Sequence, residues 1–189
     1  MSDSFLAETL VDTPAEIASL AALRDATGEV DGVMERHTLR CFLLCELLAE
    51  KHNADLDREV TLCAAILHDI GLYDKVSEGG VYTDEGGEFA RKLGLEHGWD
   101  ERRADLCAEV CARHHAVRAQ WEQGAEVECL RLADRIEVSG GVSRGGLSRV
   151  QIKGVFNDVS RDGFYGGLVH VVWPNLRTRP LKTLKIFNR

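Results

Sequence analysis

Apolar residues along most of this chain recur every three or four positions, the spacing of a helix with one buried face, and the pattern persists to about residue 139. Thr13, Pro14 and Glu16 read as an N-cap, a first-turn proline and an acidic first turn, opening a helix that runs to about Thr27, before Gly28. A longer helix follows from about Asp31 to His52. Val33, Cys41, Leu44, Cys45 and Leu48 form its apolar stripe, and His37 lies on that stripe one turn before Cys41, so its ring is predicted to point inward. A third helix starts near Asp57, passes through Val60, Ala64 and Leu67, and is predicted to stop at Gly71 in the left-handed conformation that glycine favours. That ending puts His68 and Asp69 in its last turn.

Residues 73–82, with Gly79 and Gly80, read as a loop. The next helix begins near Thr83 or Asp84 and runs to about Leu93, with Gly94 ending it. Asp100 caps another, which carries Leu106, Val110 and Ala112 towards His114 and His115, and a further helix spans about Glu126 to Val138 with Leu130, Asp134 and Ile136. Residues 139–149 are rich in Gly, Ser and Arg and read as a loop. Val150 to Val155 suits a short helix, while Leu168 to Trp173 reads equally as a strand or a last helix. The chain is therefore expected to be all-α, one helical-bundle domain over residues 1–189 with a core of about 31–139 and a short irregular C-terminal extension, 140–189.

Composition narrows the function. Of 189 residues, 44% are hydrophobic and 29% charged, the balance of a globular protein. No apolar run approaches the roughly 20 residues of a membrane span, since the stretch from Cys41 to Leu48 is already broken by Glu46. Asp3 and Glu8 near the N-terminus, with no basic region before an apolar segment, argue against a secretory signal, so a cytoplasmic location is expected. Asp and Glu number 31 against 23 Lys and Arg, a net charge of −8 without any Lys/Arg run, which argues against binding duplex nucleic acid. The six cysteines include two helical pairs, Cys41/Cys45 and Cys107/Cys111, set among apolar residues; they read as free core thiols. Cys107, Cys111 and His115 share a helix face but supply only part of a zinc site, and no Cys-x-x-Cys partner exists elsewhere.

The chemistry concentrates in His37, the doublet His68-Asp69, and Asp134, each on or at the end of a helix with apolar neighbours. Ionised carboxylates buried without compensation are costly, so two inward Asp beside two inward His call for a cation. Adjacent helical residues point about 100° apart, so both members of a doublet reach one ion mainly where a helix is ending. Two imidazoles and two carboxylates suit Mn, Fe, Co, Ni or Zn without choosing among them.

The order His, His-Asp, Asp in a helical chain, with the local strings LCAAILHDIG, ARHH and RLADRI, resembles the HD-domain superfamily of metal-dependent phosphohydrolases over about Asp31 to Ser139. The resemblance implies a helical bundle in which His37, His68, Asp69 and Asp134 hold a divalent metal. It also implies hydrolysis of a small, anionic phosphorylated metabolite or nucleotide by metal-activated water, with Asp69 in the catalytic centre. Members with two metals carry a further His where this chain has Thr83, Asp84, Glu85 and Glu88, so one ion is favoured over two. His114 or His115 is then expected to face the cavity as substrate binder or proton donor.

Other residues complete the reading. Asp74 is a candidate general base, Lys75 a candidate phosphate contact, and Arg144 and Arg149 sit in a glycine-rich loop able to close over an anion. His97, beyond Gly94, reads as solvated. The region GGLSRVQIKGVFNDVSRDGF is loosely similar to cyanamide-hydratase-like members, which makes hydration of a small nitrile the alternative chemistry. An oxidative di-iron role is disfavoured because Leu72 and Tyr73 stand where those members carry an additional His, and a metal-stabilised, non-catalytic binding module is the remaining alternative. A homo-oligomer is compatible with all of these.

Overall fold

The computed structural model describes residues 3–170, and among these it contains helices and no strand. In chain order the helices are α1 (Asp3–Leu10), α2 (Pro14–Thr27), α3 (Val33–His52), α4 (Arg58–Leu67), a 3₁₀ turn (Ile70–Leu72), α5 (Tyr82–Glu96), α6 (Glu101–Arg113), α7 (Ala125–Val138) and α8 (Arg149–Asp158), with residues 164–170 helical again. The expected all-α class holds. The short helix expected at Val150 to Val155 extends over the whole of α8. Of the segment Leu168 to Trp173, residues 168–170 are helical and the remainder lies outside the described residues.

α4 is the centre of the bundle. Every residue from Val60 to Leu67 is buried, as an apolar-all-round sequence requires, and α4 packs against α2, α3 and α6. Its start is fixed by Asp57, whose side chain accepts from the Val60 N–H at 3.2 Å while Arg103 of α6 grips the same carboxylate at 2.7 and 2.8 Å. The capping box expected at the start of α2 is present between Thr13 and Glu16. α5 lies along α6, and α3 along α7; the second pairing brings His37 and Asp134 together.

Two glycines act differently from the sequence expectation. Gly71 is not left-handed. α4 ends at Leu67, the doublet follows, and Gly71 lies inside the 3₁₀ turn, where a Cβ would come within 2.1 Å of the Tyr82 carbonyl oxygen. Its absence of a side chain lets the start of α5 close on the end of α4. Gly94 does not stop α5, which continues to Glu96; its missing Cβ makes room for the Trp99 ring, 2.3 Å from where it would stand.

The described residues after α7 are part of the bundle. Val159 and Phe164 are buried, and the Phe164 ring stacks on His37 with centroids 5.2 Å apart and planes at 22°. All six cysteines are buried free thiols.

Candidate metal centre

His37 comes from the second turn of α3, His68 and Asp69 from the turn after α4, His114 and His115 from the turn after α6, and Asp134 from the last turns of α7. Each doublet sits just past a helix end, where successive side chains can converge. His37, His68, Asp69, His114 and Asp134 are all buried, while the His115 side chain keeps 23% of its surface exposed.

His37 Nε2 and His68 Nε2 face each other at 3.1 Å. Both rings have already committed their other nitrogen: His68 Nδ1 donates to the Ala65 carbonyl at 2.8 Å, and His37 Nδ1 donates to Glu137 Oε2 at 3.0 Å. Two neutral rings with those tautomers present two lone pairs to one another, so a positive charge must lie between them. A proton would serve for the rings alone. Asp69 Oδ2, however, lies 3.7 and 3.4 Å from the His37 and His68 Nε2 atoms, and Asp134 Oδ1 lies 3.7 and 4.0 Å from them. Two buried carboxylates converging on the same point carry more negative charge than one proton offsets, and a divalent cation balances both. The donor set fits a divalent metal of the borderline class.

The same geometry repeats one step away. His114 Nδ1 donates to the Cys111 carbonyl at 2.6 Å, which leaves its Nε2 3.4 Å from Asp69 Oδ1; neither buried atom has a hydrogen-bond partner. His115 Nδ1 is 3.3 Å from Asp134 Oδ2, and its Nε2 is 2.6 Å from the Tyr82 hydroxyl. His37, Cys41, His68 and Asp134 form one group able to hold an ion; His68, Asp69 and His114, and His114, His115 and Asp134, form two overlapping ones.

A family model described as HD domain matches residues 34–139, more than half of the chain. The chain belongs to the HD-domain family. No curated protein matches it. The matched span includes all four residues of the sequence-derived ligand set, and the HD domain brings them together.

Within the HD domain the protonation of His68, Asp69 and Asp134 suits cation binding, whereas Glu137, Asp134 and Asp69 raise His37 against its burial. Burial pulls His68 down to about 4, so its ring is neutral at neutral pH. Burial tends to raise Asp69 and Asp134, yet both lie below the usual carboxylate range. For Asp69 the nearby His68 and His114 prevail; for Asp134 it is His115 first, holding it at about 2. Burial pushes the Cys41 thiol well above its ordinary value, which leaves it a neutral neighbour 3.9 Å from the His37 ring nitrogens.

Other sequence-predicted residues lie elsewhere. Lys75 is ion-paired with Asp25 at 2.7 Å on an exposed surface, in a pocket lined by no residue of the metal centre. Arg144 and Arg149 line a different pocket, again without a metal-centre residue. Asp74 is exposed. Cys107 and Cys111 point their sulfurs at the Val60 and Ala64 carbonyls, away from His115, so the rejected zinc reading stays rejected. His97 is exposed, as expected.

Sequence reasoning missed Glu137, Arg40, Tyr82 and Phe164. Glu137, fully buried, links His37 to Arg40, whose Nε donates to Oε1 at 2.7 Å. A signal existed. Arg40 is one turn past His37 and Glu137 is one turn past Asp134, so both charges fall on inward faces.

Proposed function

We propose that this HD-domain protein is a metal-dependent phosphohydrolase acting on a small phosphorylated metabolite or nucleotide. One observation carries the reading: the facing Nε2 atoms of His37 and His68, with Asp69 and Asp134 beside them, call for a cation between them. His37, His68, Asp69 and Asp134 would hold it. A divalent ion there supplies positive charge to polarise a phosphoryl group and acidifies water from about 15.7 towards neutrality.

The chain's own residues do the remainder. Glu137 fixes the His37 ring and its tautomer, as carboxylates behind metal-binding histidines do. Tyr82, kept protonated by burial, donates its hydroxyl to His115 Nε2, so that His115 Nδ1–H is directed at Asp134. His115 is the partly exposed member of the cluster and is the group we assign to proton donation or substrate contact. His114, sealed beside Asp69, would turn its Nε2 lone pair towards the same cation as Asp69 Oδ1. Both histidines touch carboxylates of the site, whereas Asp74 faces solvent, so proton transfer is assigned to His115 rather than to Asp74.

The test is phosphate release from a panel of phosphate esters and nucleotides by protein loaded in turn with Mn, Fe, Co, Ni and Zn. Asp69→Ala should lose both metal and activity. His115→Gln should keep the metal and lose about 10²- to 10⁴-fold in rate, the usual contribution of a positioned acid or base. Turnover of small nitriles without phosphate release from any ester would overturn the phosphohydrolase reading while leaving the metal centre intact.

A further inference from the structure

The loop leaving α7 and the first turns of α8 form a cavity of about 510 Å³, within the range of small-molecule sites. Arg144, Arg149 and Lys153 line it beside Ile152 and Phe156, and no carboxylate does. This is unusual within a chain whose acidic residues outnumber its basic ones by 31 to 23. Elsewhere Arg24, Arg40, Arg58, Arg103 and Arg131 each ion-pair with Glu or Asp. Among the described residues the three cationic heads of the cavity have no such partner.

Arg149 and Lys153 stand four apart on α8, a spacing that sets two like charges on one face of the helix. Arg144 adds a third positive charge from the loop, whose fold is held by glycines at positive φ: Gly140, Gly141, Gly145 and Gly146. Three cationic side chains lining one cavity can be met together by one multiply charged anion, and two of them carry the planar fork that matches phosphate oxygens.

None of His37, His68, Asp69, His114, His115 and Asp134 lines this cavity.

We propose that this cavity binds a small polyanion bearing two or more phosphate groups, at a site distinct from the metal centre. Calorimetric titration of the full-length protein with inorganic tripolyphosphate and, separately, with a nucleoside triphosphate tests it. The expected result is saturable one-to-one binding that weakens with added salt. In the Arg144→Ser, Arg149→Ser, Lys153→Ser triple variant the affinity should fall at least about tenfold, the loss of one or more charge-assisted hydrogen bonds, while metal content and thermal unfolding stay those of the wild type. Tighter binding of the nucleoside triphosphate would make a nucleotide the ligand; equal binding would make the phosphate chain alone sufficient. Absence of saturable binding, or binding undiminished in the triple variant, would overturn the proposal. Both titrations are repeated on Asp69→Ala, which should lose the metal, so that binding at this cavity is read apart from any binding at the metal centre.

Discussion

Glu137 Oε2 accepts the Nδ1 proton of His37 at 3.0 Å, and Oε1 of the same carboxylate takes Arg40 at 2.7 Å. One buried carboxylate thus orients a metal-facing imidazole and neutralises a fully buried guanidinium. Glu137→Gln keeps an acceptor for His37 but removes the charge. Metal affinity, measured by competition with a chromophoric chelator, should fall about 10- to 100-fold. Stability should drop by on the order of 3 kcal/mol, because Arg40 remains buried with its charge uncompensated. Wild-type affinity in the variant would show that Glu137 serves packing alone.

Gly71→Ala would place a methyl group 2.1 Å from the Tyr82 carbonyl, a backbone atom that cannot swing aside. A stability loss of about 3 kcal/mol, the upper end of overpacking, is expected in urea unfolding. Because the strain falls between the His68-Asp69 turn and α5, metal affinity should decline as well. A variant as stable as wild type would contradict the close approach of α5.

The Asp57–Arg103 contact sets an acid limit. Arg103 hydrogen-bonds Asp57 and holds its carboxyl below the usual range, against partial burial. With the folded pKa depressed, this stabilisation is complete above the unfolded value of about 3.9 and is lost as pH falls through the folded one. Asp57→Asn retains the cap to Val60 without the charge. The wild type should be more stable by up to about 1 kcal/mol at neutral pH, and the difference should begin to shrink only below about pH 3.9, vanishing under the folded value. Equal thermal midpoints at neutral pH would show that the pair contributes nothing.

Phe164 ties the C-terminal segment to the site by stacking on His37 beneath Arg40. Phe164→Ala should cost about 3 kcal/mol or more in unfolding free energy and loosen the His37 ring. Metal affinity should therefore fall together with stability. If both stay at wild-type values, the segment beyond α7 is dispensable to the centre.

What the sequence revealed follows from where its information lies. His37, Asp134 and the doublet lie on helices with clean apolar periodicity or just past their ends, so their inward direction was legible, as were the caps Thr13 and Asp100 and the start of the third helix near Asp57. The supporting charges Arg40 and Glu137 were legible in principle, one turn from the ligands, but a charged residue on an inward face looks like a break in the stripe until its partner is known. Phe164 belongs to a segment without clear periodicity, and its packing on His37 depends on how α8 folds back. Lys75 and Arg144 stand in loops and Arg149 opens α8 just after one, where spacing says nothing of long-range placement; the structure pairs the first with Asp25 and sets the other two on a separate cavity. Gly71 and Gly94 carried a conformational signal in the sequence, yet each is there for close approach.

The decisive experiment is anomalous diffraction from crystals of the manganese-loaded protein, recorded on both sides of the metal's absorption edge. A peak bonded to His37 Nε2, His68 Nε2, Asp69 and Asp134, at one ion per chain, is the result that follows from the facing imidazoles. A map without a peak there, with the two Nε2 atoms still in direct contact, would mean that a proton bridges the rings and that the centre is structural.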